Sequence, residues 1–170
     1  KNYYIKDFDK TRYGKALRKL KNSNYGKRCF LIGNGPSLNV ADLNMLKNEF
    51  TFAFNRIYYI FNKTEWRPTY YCIQDDKMLI HSIENIKKSI ETKYIFAPID
   101  FKWYYNLDLE TNYYFCQKRN TFENRIYFSE FIDRNISVCN TVTYTAIQIA
   151  IYMGFTEIYL IGVDHTFNKE

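Results

Sequence analysis

Residues 28–38 read Arg28-Cys29-Phe30-Leu31-Ile32-Gly33-Asn34-Gly35-Pro36-Ser37-Leu38, an apolar run of strand length that breaks directly into a Gly/Pro turn. Leu38, Ala41, Met45 and Leu46 then give a partial apolar stripe, which predicts a helix over residues 38–48. The pattern recurs. Thr51-Phe52-Ala53-Phe54 ends on Asn55-Arg56, and Tyr70-Tyr71-Cys72-Ile73 runs into Gln74-Asp75-Asp76. A helix over 76–90, carried by Ile80, Ile83, Ile86 and Ile90, leads to a strand at Tyr94-Ile95-Phe96-Ala97 that Pro98 stops. Thr141 to Met153 predicts a long helix with Thr145, Ala146, Ile149, Ala150 and Met153 on one face. Gly154 ends it, and Glu157-Ile158-Tyr159-Leu160-Ile161-Gly162 follows as the last strand. Upstream, Tyr13, Leu17 and Leu20 predict an amphipathic helix over 11–21. The stretch 99–125 alternates aromatic and polar residues without a clear period and reads as a lid or excursion, with a short strand at Ile126-Tyr127-Phe128.

Strands alternating with helices predict an α/β fold, a single Rossmann-like domain whose mostly parallel sheet is flanked by helices. The expected division is a basic helical flank at 1–24 and a Rossmann-like nucleotide-binding domain at 25–170. The chain stops a few residues after its last strand, which predicts a domain truncated at its C-terminus and part of a longer protein.

The composition narrows the function classes. A chain of 170 residues, 46% hydrophobic and 19% aromatic with 6 Gly and 3 Pro, has one domain's length and neither collagen-like nor low-complexity character. No apolar run reaches membrane-spanning length, and Lys1 to Asp7 lack the core of a secretory signal. Residues 1–28 carry ten Lys/Arg against two Asp, while the remainder is slightly acidic, so the net charge of +6 belongs to the N-terminal stretch. Such a basic head can meet an anionic membrane surface or another polyanion, or can be a solvated helix face. No nucleic-acid-binding module accompanies it. Cys29, Cys72, Cys116 and Cys139 contain no C-x-x-C pair, and His81 and His165 are far apart. No disulfide scaffold and no metal ligand is assigned. His81 reads as structural.

Ligands of a parallel sheet bind beyond the carboxyl ends of its strands, and the polar residues gather there. Gly33, Asn34, Gly35, Pro36 and Ser37 lie between a strand and a helix, where glycines admit a ligand to the backbone and free amides hold phosphate. The turn is neither the dinucleotide fingerprint nor a Walker loop. Asn55 can read ribose, base or sugar hydroxyls, and Arg56 can fork onto a phosphate. Asp75 and Asp76 suit either general-base or diphosphate–metal chemistry, or the capping of a helix. Asn140, Thr141 and Thr143 open the long helix as phosphate ligands or as an ordinary cap. Gly162, Asp164 and His165 close the row, with Asp164 placed for a hydroxyl and His165 for a base or phosphate contact.

With those residues in view, the chain resembles a known group. Gly33 to Leu38, Phe54-Asn55-Arg56-Ile57-Tyr58, Trp66 to Tyr71, and Met153 to His165 are similar to the domain-of-unknown-function 115 proteins of bacterial surface-polysaccharide loci, over residues 25–168. The pattern is also similar to the bacterial lipooligosaccharide sialyltransferases, whose Gly-Asn-Gly-Pro-Ser-Leu turn, post-strand Asn, helix-opening Thr and Gly-x-Asp fall here on Gly33 to Leu38, Asn55, Thr141 and Gly162 to Asp164. That resemblance implies a CMP-linked sugar donor, no obligatory metal and a glycan acceptor. The chain departs from those enzymes at Val142-Thr143 and at His165-Thr166, and their catalytic His lies further downstream. It is similar as well to the archaeal-type 6-hydroxymethyl-dihydropterin diphosphokinases, which implies ATP and Mg²⁺, with Asp75, Asp76 and Asp164 available to serve them.

The expectation is a glycosyltransferase-like enzyme of surface-polysaccharide or lipooligosaccharide synthesis using a nucleotide sugar. The alternatives are an ATP-dependent diphosphokinase and a noncatalytic nucleotide-binding domain. Asp75, Asp164 and His165 are the expected catalytic residues. A cytoplasmic location at the inner face of the membrane and a homo-oligomeric state complete the expectation.

Overall fold

The computed structural model describes residues 5–119 and 127–164. After a 3₁₀ turn at Phe8–Lys10, α1 spans Arg12–Arg18, and then come β1 (Arg28–Ile32), α2 (Val40–Met45) and β2 (Phe50–Phe54). A second 3₁₀ turn at Ile57–Ile60 leads to β3 (Tyr70–Cys72), α3 (Asp76–Ser89), β4 (Ile95–Pro98) and α4 (Ile99–Trp103). The chain continues through β5 (Tyr113–Phe115), β6 (Gln117–Arg119), β7 (Ile136–Val138), α5 (Val142–Tyr152) and β8 (Glu157–Ile161).

Six strands form one sheet in the order β5-β4-β3-β2-β1-β8, every neighbouring pair parallel, and β6 and β7 form a separate parallel pair. From β1 the chain steps outward through β2, β3, β4 and β5, then returns to add β8 on the other side of β1. The strand order therefore reverses between β1 and β8, the position where open parallel sheets leave a crevice. The expected single α/β domain with a parallel sheet flanked by helices is the observed fold.

Register explains why so many aromatics are needed. Phe52 is opposite Tyr70, Cys72 opposite Phe96, and Phe96 opposite Tyr113, so their rings share one face. Phe52 and Tyr70 stack at 4.5 Å, and Phe96 and Tyr113 lie 5.4 Å apart. Phe155, just after α5, covers Phe50, Phe52 and Tyr70. The opposite face holds Tyr71 and Tyr114, and Tyr13 of α1 meets Tyr114 edge-on at 5.5 Å. Phe8, Tyr13, Leu17 and Leu20 of the basic N-terminal stretch are buried, leaving its charges outside.

Several elements differ from their expected bounds. α2 spans Val40–Met45 rather than 38–48, because the Asn39 side chain accepts the Asp42 amide and caps the helix there. Thr11 caps α1 in the same way from the Gly14 amide. The excursion at 99–125 contains α4 and β5, the far edge strand, within its described part. Tyr127 and Phe128 are not in a strand, and Ile126 lies outside the described residues. No helix among the described residues is long and apolar enough to cross a membrane. Cys29, Cys72 and Cys116 are buried free thiols, and burial raises each of their pKa values.

Phe52 is fully buried at the centre of the ring ladder, whereas Ile151 of α5 is exposed. Phe52→Ala is expected to cost about 3–5 kcal/mol in denaturant unfolding. Ile151→Ala should stay within about 0.5 kcal/mol of wild type. A loss under about 1 kcal/mol for Phe52→Ala would remove the ladder from the account of stability.

Candidate functional site

The turns after β8, β1, β2 and β3 stand side by side because their strands do, so Gly162 to Asp164, Gly33 to Ser37, Asn55-Arg56 and Gln74 to Asp76 form a row along one edge of the sheet. At the reversal point the two backbones touch. The Gly33 amide donates to the Ile161 carbonyl and the Gly35 amide to the Gly162 carbonyl, each at 2.8 Å. A side chain at position 33 would drive its Cβ into the Gly162 carbonyl oxygen, and Gly162 itself turns at φ +65°. Both positions demand glycine, one for closeness and the other for its backbone angle.

Across this contact lies a polar clasp. The Ser37 amide donates to Asp164 Oδ2 at 2.8 Å, and the Ser37 hydroxyl donates to Asp164 Oδ1. These two hydrogen bonds hold the Asp164 carboxyl below its ordinary pKa, since both favour the ionised form. Asn34 and Pro36 are exposed at the mouth, and the Asn34 amide group donates to the Phe54 carbonyl at 3.1 Å, tying the turn to the end of β2.

Beyond β2, Asn55 adopts φ +49°, and the buried Tyr71 hydroxyl donates to its carbonyl at 2.7 Å. Burial keeps that phenol protonated by raising its pKa well above the usual value. Arg56 is exposed and makes no ion pair among the described residues. After β3, the Gln74 side-chain amide donates to the Cys139 carbonyl at 2.6 Å while its oxygen accepts the Thr145 hydroxyl. This clamp pins the start of α5 to the end of β3. Thr141 caps α5, its hydroxyl accepting the Thr143 amide at 3.3 Å, with Asn140 exposed before it.

Asp75 and Asp76 act locally. Asp75 caps α3 through the Met78 amide at 2.7 Å, and Asp76 accepts the Lys77 amide and the Tyr105 hydroxyl, each at 2.9 Å. His165 lies outside the described residues. The described ones among the expected residues thus reach the strand-end row by way of four adjacent strands and the start of α5.

The family of 6-hydroxymethylpterin diphosphokinase MptE-like proteins matches residues 2–170. The chain belongs to that family. The comparison with curated proteins returns no match. In this family member the strand-end row mixes neutral hydrogen-bonding groups with three carboxylates and, among the described residues 33–37, 55–56, 74–76, 139–143 and 162–164, one cation, Arg56.

Two contributors escape a reading by residue type. Tyr71 looks like a plain strand aromatic, yet its hydroxyl fixes Asn55. Gln74 stands first in a polar triplet whose carboxylates draw attention, yet it alone bridges to α5. An uncharged amide directly after a buried strand is the signal, because a half-buried amide can find partners on both its ends.

Because the folded pKa of Asp164 is depressed, the clasp is present above the ordinary carboxyl value and is lost as pH falls through the lowered one. Ser37→Ala should raise the Asp164 carboxyl pKa toward the ordinary 3.8, read by NMR titration of its side-chain carbon. An unchanged titration would show that Ser37 does not hold this carboxylate in solution.

Proposed function

We propose that the chain is a nucleotide-dependent transferase whose leaving group, a nucleoside monophosphate, sits in the β1–β8 crevice. Both chemistries in view share that feature: transfer of a sugar from a CMP-linked donor releases CMP, and transfer of diphosphate from ATP releases AMP. The observation that carries the reading is the backbone closure of Gly33 and Gly35 against Ile161 and Gly162 at the strand-order reversal. The reversal is where open parallel sheets take their ligands, and the closure fixes the two turns that flank it.

The reading assigns each group a task. The first amides of α5 after Thr141, together with Asn140 and Thr143, hold the phosphate, while Ser37 keeps Asp164 in place. Asn34 and Asn55 read ribose and base, and Arg56 meets the negative charge that grows on the departing phosphate oxygen. In the transfer, the acceptor hydroxyl oxygen forms a bond to the donor's electrophilic centre. The bond from that centre to the nucleotide's phosphate oxygen breaks, and the electron pair leaves with the nucleotide. The acceptor proton goes to a base. Asp164, held ionised by Ser37, is a weak base and suits orienting the hydroxyl, and His165, outside the described residues, is this chain's candidate for the proton or for a phosphate contact.

Charge favours the sugar donor. A triphosphate brings about four negative charges to neutralise, and the described row supplies one cation among three carboxylates. Magnesium would have to supply the balance, through Asp75, Asp76 or Asp164, of which Asp164 is engaged by Ser37 and Asp75 caps α3. A CMP-linked sugar carries a single bridging phosphate. The exposed ring of Tyr105, anchored to Asp76 at the end of the row, offers a surface for a sugar. ATP is the second reading, and the family match favours it.

A calorimetric and thermal-shift panel of CMP, AMP, CDP, UDP, GDP, a CMP-linked sugar and ATP, each with and without Mg²⁺, separates the two. Metal-independent stabilisation by CMP and the CMP-linked sugar is expected. Asn34→Ala or Thr141→Ala should weaken CMP by about tenfold, roughly one hydrogen bond to a charged group. Binding of ATP that requires Mg²⁺, without binding of CMP, would replace the sugar donor by the diphosphate donor. No nucleotide binding at all would overturn both.

A further inference from the structure

The cations of α1 are sorted to one side. Arg12, Lys15 and Lys19 follow at intervals of three and four residues, so they share the solvent face of the helix while Tyr13 and Leu17 turn inward. Lys15 and Lys19 form no ion pair among the described residues. The Arg12 guanidinium lies 4.7 Å from the centre of the Tyr13 ring, and Tyr13 meets Trp103 at 6.3 Å. Trp103 is 46% exposed and Tyr104 is 55% exposed. The next residue, Tyr105, reaches Asp76 in the strand-end row. Cations and amphipathic rings thus form a ledge that runs from α1 to Tyr105, at the β3 end of the strand-end row.

We propose that this ledge seats the protein on an anionic lipid surface, with Arg12, Lys15 and Lys19 against the headgroups and Trp103 and Tyr104 in the interfacial layer. Basic side chains are drawn to anionic headgroups, each by a modest and additive amount. Trp and Tyr are the residues whose rings settle where an apolar layer meets water. A short convex helix with flanking rings suits a flat charged surface, whereas a polynucleotide is normally tracked by a groove. The seat holds the strand-end row next to the membrane, where a lipid-borne acceptor would present its hydroxyl. The inference is independent of which donor the crevice takes.

The test is co-sedimentation of the full chain with vesicles of phosphatidylglycerol and phosphatidylcholine, against vesicles of phosphatidylcholine alone. Binding to the anionic vesicles only is expected, weakening as salt rises. The double variant Lys15→Glu/Lys19→Glu should bind about tenfold more weakly or worse, with unchanged melting temperature and unchanged nucleotide binding. Tryptophan emission should shift to the blue on vesicle addition, and Trp103→Phe should abolish the shift, since Trp66 is already buried. Equal binding to neutral vesicles, or binding within twofold of wild type in the double variant, would overturn the proposal. So would displacement of the protein from the vesicles by a single-stranded oligonucleotide at matched charge, which would assign the ledge to nucleic acid.

Discussion

The Gly33 amide meets the Ile161 carbonyl and the Gly35 amide meets the Gly162 carbonyl, so the ladder between β1 and β8 continues past the strands into their turns. Side chains are excluded from that seam, and this has two consequences. The turns are held by backbone hydrogen bonds, whose directions are set by the sheet itself. The room that Gly35 leaves also admits the Asp164 carboxylate, which lets Ser37 hold it across the seam. Neighbouring pieces of the row inherit their positions from the same seam, because β2 is paired to β1 and β3 to β2.

The ring ladder transmits that order across the sheet. β3 is three residues long and would be a weak strand alone, yet Tyr70 packs into the ladder on one face while Tyr71 is buried on the other. The packing of Tyr71 is also what delivers its hydroxyl to Asn55 and holds the left-handed conformation there. A single strand thereby couples core packing to the shape of the row. Gln74, at the end of the same strand, extends the coupling to α5.

Much of the sheet is legible in the sequence because parallel strands buried on both faces read as continuous apolar runs, and each ends in a distinct polar turn. Arg28 to Ile32 and Thr51 to Phe54 stand out in this way, while Glu157 to Ile161 reads as an apolar run although it is a largely exposed edge strand. β5 does not, because Tyr113-Tyr114-Phe115 sits in a region already crowded with aromatics and has no Gly or Pro boundary of its own. β7, at Ile136–Val138, is three residues between polar neighbours, too short to show a period. The row of strand ends is visible from residue types, while its internal wiring is not. That Asp164 binds Ser37 across 127 positions, and that Asp75 caps a helix, depends on register and on turn geometry. α2 begins later than its apolar stripe because Asn39 competes as a cap and Ser37 is drawn off toward Asp164.

The positive charge of the chain and its candidate site are physically separate. Residues 1–28 hold the excess of Lys and Arg, and α1 packs against β5, at the far edge of the sheet from β8. The strand-end row works with amides, hydroxyls and one guanidinium at fixed positions, close enough that their fields act over a few ångströms. Charges on α1 act on whatever lies outside, across a distance comparable to the ~8 Å screening length of physiological salt. If the row takes the proposed donor and α1 the proposed surface, the two would differ in their response to salt, the second weakening as ionic strength rises.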